Sequence, residues 1–301
     1  DRLIFSKVRE GFGGRLEFFI GGAAFLDIEI QRFFYAIGIP MYQGYGLSEA
    51  SPIISANTPR AHKLGTSGKI VPDLEVRICD ENGVDLPLGE KGEIVVKGEN
   101  VMAGYWRNDE ATAATIRDGW LHTGDLGHMD EDGYLYVLGR VKSLLINGTG
   151  EKYSPEGIEE ALVSGTPFID QVMLHNDHDP YTVALIVPNR EALRDWFLSE
   201  GLSWTSPEGQ EAAIQLFQSE IDSFRDGGSR DGLFEKEWLP AAFAILGEGF
   251  TESNHLLNSS LKLVRRKVRD FYQDRLDYLY TPEGKDPLNR RNRRIVSRID
   301  E

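Results

Sequence analysis

The sequence predicts an α+β multi-domain protein. Three observations predict it. A strand–helix–strand order with glycine-ended loops opens the chain, short β runs separated by hairpin dipeptides fill the middle, and a mixed α+β pattern runs from Gly139 onward. The 301 residues suit about two or three domains at roughly 100–200 residues each.

The elements follow in order. Arg15 to Ile20 reads as a short apolar strand ending on Gly21-Gly22. Phe25, Ile28, Phe33 and Ile37 have helical spacing, with Gly38 just past the end, so a helix is expected over 25–37. Pro40 to Gly44 is the next strand, which makes a parallel α/β unit. From about residue 56 to 138 the pattern is all-β: Leu74 to Cys79, Glu93 to Lys97 and Tyr134 to Leu138, with turns at Asp80 to Gly83 and Asp130 to Gly133. A small distorted β-barrel is the expected form. Ser154-Pro155-Glu156 reads as a helix start with Ser at the N-cap. Strands are expected at Ile169 to Leu174, Thr182 to Val187 and Phe243 to Leu246, and helices at Glu191 to Ser199 and Glu211 to Phe224. Leu261 to Tyr280 reads as one long amphipathic helix with a basic start. The arginines from Arg290 to Arg298 read as a charged, disordered end. The boundary between the β and α+β modules falls at Gly139 to Lys142.

Composition narrows the function classes. Lys plus Arg number 33 and Asp plus Glu 48, for a net charge of −15. That balance argues against a general nucleic-acid binder or a peripheral protein held on anionic lipid, and any polyanion must meet a local basic patch or backbone N–H groups. The single cysteine, Cys79, excludes an internal disulfide framework and a multi-Cys zinc site, and a reducing compartment suits it. No apolar run approaches the roughly 18–20 residues of a membrane span. The expected location is cytoplasmic, with peripheral contact to a membrane left open. The chain opens on Asp1, without Met and in mid-pattern, so we expect it to be cut from a longer one.

Four clusters carry chemistry. Gln43-Gly44-Tyr45-Gly46-Leu47-Ser48-Glu49 offers glycines for close backbone approach, a ring to stack a base, a hydroxyl for a phosphate and one hard oxygen for Mg²⁺. Gly119 to Asp125 ends on a carboxylate that can accept ribose hydroxyls or close a β-turn. Gly139-Arg140-Val141-Lys142, followed by Asn147 to Glu151, puts charged residues on the module junction, as a hinge or an ordinary linker. The basic stretch from Lys262 to Arg269 can supply a lysine that stabilises charge on a phosphate, or a solvated helix face. Gly65-Thr66-Ser67-Gly68-Lys69 mimics a phosphate loop but lacks its spacing and its strand–helix context, so a structural turn is expected. His175 to Asp179, with two His and acids, reads as a solvated hairpin rather than a metal site.

Taken in this order, the clusters resemble the AMP-forming acyl-CoA synthetases, within the adenylate-forming ligases. The resemblance runs from about Leu16 to Val268 and includes Gly21-Gly22-Ala23-Ala24, Gly92-Glu93-Ile94, Gly104-Tyr105-Trp106 and Ser154 to Glu159. The stretch from Phe250 through Leu263, with Leu261 where most branches have Gly, is most similar to the long-chain fatty acid–CoA ligase branch.

The resemblance implies a role for each residue. Tyr45 would stack on adenine, with Gly21, Gly22 and Ala23 lining the other side. Ser48 would touch the α-phosphate and Glu49 would hold Mg²⁺. Asp125 would bind the ribose and Arg140 would add a nucleotide contact. Lys142 would be the hinge and Lys262 the adenylation lysine. The loop from Gly148 to Glu151 would enter the site for the second half-reaction. The domains implied are a remnant of a large α/β domain (1–55), a β-barrel subdomain (56–138), a hinge (139–142) and a mobile α+β C-terminal domain (143–301). ATP, CoA and Mg²⁺ are the implied cofactors, and a long-chain fatty acid the substrate. A transient membrane contact is the further partner considered.

One departure qualifies this picture. The family's phosphate loop with its lysine lies upstream of the adenine-loop glycines, and only 20 residues precede Gly21 here. The chain is therefore expected to be a C-terminal part, unable to complete the reaction unaided. Two alternatives stand beside the ligase: a fatty acyl-AMP ligase that passes the acyl group to a carrier protein, and a non-catalytic nucleotide- or acyl-CoA-binding module.

Overall fold

The computed structural model describes residues 5–23 and 26–299. The chain divides into two compact units, 1–142 and 143–301.

The first unit runs α1 (Phe5–Gly11), β1 (Phe19–Gly21), α2 (Ile28–Ala36), β2 (Met41–Gly46), β3 (Ile53–Ala56) and β4 (Lys69–Ile70). It continues with β5 (Glu75–Cys79), β6 (Gly92–Lys97), α3 (Asp109–Thr115), β7 (Ile116–Arg117), β8 (Trp120–Met129) and β9 (Leu135–Arg140). β1 and β2 are parallel with Gly21 opposite Gln43, as the strand–helix–strand order requires. The helix between them starts later than its apolar spacing predicts. Asp27 accepts from the N–H groups of Glu29 and Ile30 and caps it there. Phe25, the expected start, and Ala24 lie outside the described residues.

The expected boundary at 55/56 is not found. β3 pairs with β4 across it, which gives a sheet ordered β1-β2-β3-β4. One core joins Ala50 and Ile54 to Ile78, Ile94, Val96, Leu121 and Leu135 of the following sheet. Apolar side chains on the two sheets bury one another, and neither could be dry alone. The second sheet orders β5-β6-β8-β7, with β9 on β8. The module is not all-β, because α3, capped by Asn108, precedes β7. Both predicted turns are present and both are Asx turns. Asp80 accepts from the amides of Asn82 and Val84, and Asp130 from those of Asp132 and Tyr134.

The second unit contains β10 (Leu145–Asn147), β11 (Lys152–Tyr153), α4 (Glu156–Ser164), β12 (Ile169–His175), β13 (Asp177–Asp179), β14 (Val183–Pro188) and α5 (Arg190–Glu200). After these come α6 (Pro207–Asp222), β15 (Ala242–Ile245), α7 (Arg265–Phe271), α8 (Gln273–Leu279), α9 (Pro282–Lys285) and α10 (Arg290–Val296). Its main sheet is β12-β14-β15, with β14 buried throughout. A continuous apolar run is what a strand covered on both faces needs. Ala184 and Ile186 point into one core, and Val183, Leu185 and Val187 into another.

Three expectations fail here. The cap of α4 is Pro155, with no side-chain hydrogen bond, so Ser154 does not cap it. The long helix over 261–280 does not form as one piece. Residues 257–263 make a turn with Leu257 bridged to Leu263, and Tyr272 breaks the remainder into α7 and α8. The arginine-rich end is ordered. Asn292 is buried, donates to the carbonyls of Phe243 and Pro287, and accepts from the Ile245 N–H, while Val296 lies in the core. A buried side chain with its bonds met holds the segment despite its charge. The stretch at 175–179 also differs from a plain hairpin, because β13 pairs in parallel with β10.

Candidate nucleotide site

The end of β2 is shaped by close backbone approach. A Cβ on Gly46 would sit 1.9 Å from the Pro52 carbonyl oxygen, so only glycine fits where the chain folds back. The chain then makes a single helical turn, Ser48–Ala50, which leaves Ser48 exposed and buries Ala50. The backbone around Glu49 is tied from outside. Its carbonyl accepts from the Met102 N–H at 2.8 Å, and Asn100 Nδ2 donates to the Ala50 carbonyl at 2.7 Å. Tyr105 Oη donates to Glu49 Oε1 at 2.8 Å. Partial burial, then the hydrogen bond to Glu49, pushes the Tyr105 hydroxyl pKa up, so it stays a donor.

Asp125 does not close a turn. It sits in the middle of β8, nearly buried, opposite Arg140 on β9. Tyr45 Oη donates to Asp125 Oδ2 at 2.6 Å, and Arg140 Nε meets Oδ1 at 2.9 Å. Thr123 supports both partners. Its Oγ1 accepts from the Asp125 N–H at 3.0 Å and donates to the Ile94 carbonyl at 2.7 Å, and its own carbonyl accepts from Arg140 Nη1 at 3.1 Å. Burial, reinforced by the Asp125 charge, pushes the Tyr45 hydroxyl pKa well up. Gly21 and Gly22 run alongside β2, and an added Cβ on Gly22 would lie 3.5 Å from the Gly44 carbonyl oxygen. Ala23 has φ +67°, an unusual left-handed residue at that edge. The fold thus brings Gly21, Gly22, Tyr45, Asp125 and Arg140 into one neighbourhood, with Ser48 and Glu49 just beyond the end of the same strand.

Lys142 ends the first unit. The remaining candidates belong to the second unit. Lys262 lies exposed on the turn that replaces the expected helix start. Asn258 organises that turn, its Oδ1 accepting from the Lys262 N–H at 2.9 Å and the Ser260 N–H at 3.0 Å. Leu261 is held at φ +58° beside it. Gly148 is exposed at the head of a loop organised by Asn147, whose Oδ1 accepts from the amides of Thr149 and Glu151. A Cβ on Gly148 would lie 3.1 Å from the Asp179 carbonyl oxygen.

The stretch from Gly65 to Lys69 is a structural turn. Thr66 and Ser67 are buried, the Ser67 N–H is spent on the Leu135 carbonyl, and a Cβ on Gly68 would overlap Ala56. Amides committed in this way cannot cradle a phosphate. Among the described residues no group of three or more His, Cys, Asp or Glu side chains is arranged to hold a metal. A single hard carboxylate such as Glu49 suits Mg²⁺, which keeps several waters and is completed by substrate phosphates.

Sequence reasoning missed Thr123 and the Tyr105–Glu49 bond. It also missed the ion pair between Glu159 and Arg265, where burial pushes the carboxyl pKa up against the guanidinium's pull. Tyr45 and Asp125 are 80 residues apart, and Tyr105 and Glu49 are 56 apart, so no local pattern marks them.

Residues 4–106 match the model of the AMP-binding enzyme family. Over 94% of its length the chain is 32% identical to the long-chain-fatty-acid–CoA ligase FadD15 of Mycobacterium bovis, covering 45% of that protein. It is 30% identical over 93% of its length to the long-chain-fatty-acid–CoA ligase ACSBG1 of Mus musculus, covering 40% of that one. The adenylation domain of a carboxylate reductase from Mycobacterium chelonae superposes with a TM-score of 0.73 at 27% identity, over 91% of this chain and 40% of that one. The O-succinylbenzoate coenzyme A synthetase of Bacillus subtilis, in complex with AMP, gives 0.63 at 26% identity, over 88% and 49%. The chain spans about half the length of these relatives. Its resemblance to the adenylate-forming ligases holds along nearly all of it. Among the described residues no helix is long and apolar enough to cross a membrane.

Proposed function

We propose that this chain, a relative of the AMP-forming acyl-CoA synthetases, serves long-chain fatty acid activation as part of a ligase of the relatives' length. The fatty carboxylate attacks the α-phosphate of ATP and releases pyrophosphate. The CoA thiol then attacks the acyl-adenylate, giving acyl-CoA and AMP. The observation that carries the reading is Asp125, fixed between the Tyr45 hydroxyl and the Arg140 guanidinium beside a glycine-lined strand. A rigid carboxylate next to a flat ring and open backbone suits a nucleoside.

The chain's own residues then have defined tasks. Tyr45 presents its ring to adenine, with Gly21, Gly22 and Ala23 on the other side. Asp125 accepts the ribose hydroxyls, Arg140 adds a nucleotide contact, and Ser48 donates to the α-phosphate. Glu49, its carboxylate steadied by Tyr105, would hold Mg²⁺, which when bound offsets phosphate charge. Lys262 neutralises charge developing on phosphate and carboxylate. The division of the chain after Lys142 supports that residue as a hinge, and exposure of the loop from Gly148 supports its use in the thioester step.

The test is product analysis by mass spectrometry on the gene product at its native length, given ATP, Mg²⁺ and a long-chain fatty acid. The reading expects acyl-AMP without CoA and acyl-CoA with it. Acyl-AMP that persists in the presence of CoA would move the acceptor to a carrier protein, and absence of both products would overturn the reading.

A further inference from the structure

Tyr45 has two parts that can act separately. Its ring is the part a base would stack on. Its hydroxyl is turned away from that task, 2.6 Å from Asp125 Oδ2. Tyr45 and Asp125 stand on different sheets, β2 and β8, so the bond is a side-chain strut from one ladder to the other. Arg140 holds the other carboxylate oxygen from β9, and Thr123 fixes the Asp125 backbone. The two carboxylate oxygens thus have donors from two directions.

We infer that the Tyr45 hydroxyl is a positioning residue for ribose recognition, fixing the plane of Asp125 so that the pair selects ribonucleotides over nucleotides lacking the ribose hydroxyls. The inference rests on the nucleotide reading above and adds a specificity determinant to it. A carboxylate presents about four acceptor directions, and their aim depends on its torsion. Donors on both sides stop that rotation before the ligand arrives, so the ordering is not charged against binding. The hydroxyl also joins the residue under the base to the residue under the sugar, so a shift of one moves the other. Phenylalanine at this position would keep the ring and lose the strut. The hydroxyl remains protonated far above neutral pH, because burial and the adjacent carboxylate both oppose its ionisation.

The test is calorimetric titration of the chain with AMP and with its dideoxyribose analogue, comparing wild type, Tyr45→Phe and Asp125→Asn. A circular dichroism melt accompanies each variant. Wild type should prefer AMP. Tyr45→Phe should weaken AMP by about tenfold and the analogue by less than about twofold, the loss expected when a charge-assisted hydrogen bond is removed. Asp125→Asn should show the same split, and the double variant should add little to either single change. Equal weakening of both nucleotides by Tyr45→Phe would make the hydroxyl a packing element and overturn the inference, as would no weakening of either. A wild type that binds both nucleotides equally would also overturn it while leaving nucleotide binding intact. A wild type that binds neither would remove the nucleotide reading itself.

Discussion

Residues 143–301 bury both faces of their main sheet and expose apolar side chains such as Leu198 and Phe271 only away from it, whereas residues 1–142 leave large apolar side chains of β1 and α2 in water. In the second unit Phe197, Phe217 and Phe243 fill one side of β14, while Phe250, Leu276 and Leu279 fill the other, all essentially dry. In the first unit Ile20 is 75% exposed, Phe33 54% and Tyr35 52%. The residue that α2 buries there is polar, Gln31, which donates to the Leu26 carbonyl and accepts from the Gly65 N–H. Apolar burial is non-directional and supplies stability, while hydrogen bonds fix where atoms point. The first unit is rich in the second kind of tie around Tyr45, Glu49, Asn57 and Asp125, where a nucleotide would need aimed groups. The contrast separates the stretch that aims side chains from the stretch that stores packing energy.

That contrast can be broken from the packing side first. Phe243→Ala should destabilise residues 143–301 by about 3–5 kcal/mol, the usual loss for a buried phenylalanine. Hydrogen exchange would show protection lost within 143–301 and kept in 1–142, and a loss spread over both would contradict the division. Lys262→Ala lies on the same unit but on an exposed turn, so it should leave stability nearly unchanged. If it acts as proposed, it should slow adenylation by about 10²–10³ in the native-length protein. The thioester step started from supplied acyl-adenylate should be spared, and equal loss in both half-reactions would sink the assignment.

A smaller effect tests the ordered end of the chain. Asn292→Ala should cost about 1–3 kcal/mol, because it strips partners from the buried Phe243 carbonyl and Ile245 N–H. Urea unfolding would read it, and an unchanged midpoint would mean that α10 contributes little. Each unit also carries a sheltered histidine, His128 stacked on Tyr136 in the first and His175 at the end of β12 in the second. Burial lowers both below the ordinary value of 6.5. The unfolded chain therefore takes up protons first as pH falls. Their contribution is complete above about 6.5 and is lost as pH drops through the lower folded values. His128→Phe should flatten the acid side of the stability profile for 1–142, and a profile identical to wild type would deny His128 that role. The smallest effect is expected from Leu261→Gly. Leu261 is exposed at φ +58°, and glycine relieves a left-handed strain of about 1–2 kcal/mol while adding chain entropy that offsets part of it. A rise in melting temperature is expected, and a fall would mean that the leucine side chain packs usefully.

What was legible in the sequence follows the range of the interactions only in part. The turns at 80–83 and 130–133 are closed by residues two to four positions away, and both are expected from their Asn-Gly and Asp-Gly dipeptides, the capture by Asp80 and Asp130 being what the structure adds. The strand at β14 was also expected, from the apolar run within Thr182 to Val187, and its burial on both faces is what the structure adds. One failure is long-range and another is local. The order of Arg290–Val296 depends on Asn292 reaching the Phe243 carbonyl 49 residues away. The basic stretch after Leu261 looked helical by composition, but Asn258 captures the Lys262 N–H and starts a turn instead. At the site, the types of Tyr45, Glu49 and Asp125 were suggestive, but Tyr105 and Arg140 reach them from another loop and strand, while Thr123 sits two residues from Asp125 on β8.

The most direct test of the central claim is an NMR titration of the isotope-labelled chain with AMP, read at assigned backbone amides. The account predicts saturable shifts concentrated at 21–23, 44–46 and 123–125, reduced in Asp125→Ala. Saturable shifts elsewhere with these amides unmoved, or no shifts at millimolar AMP, would contradict it.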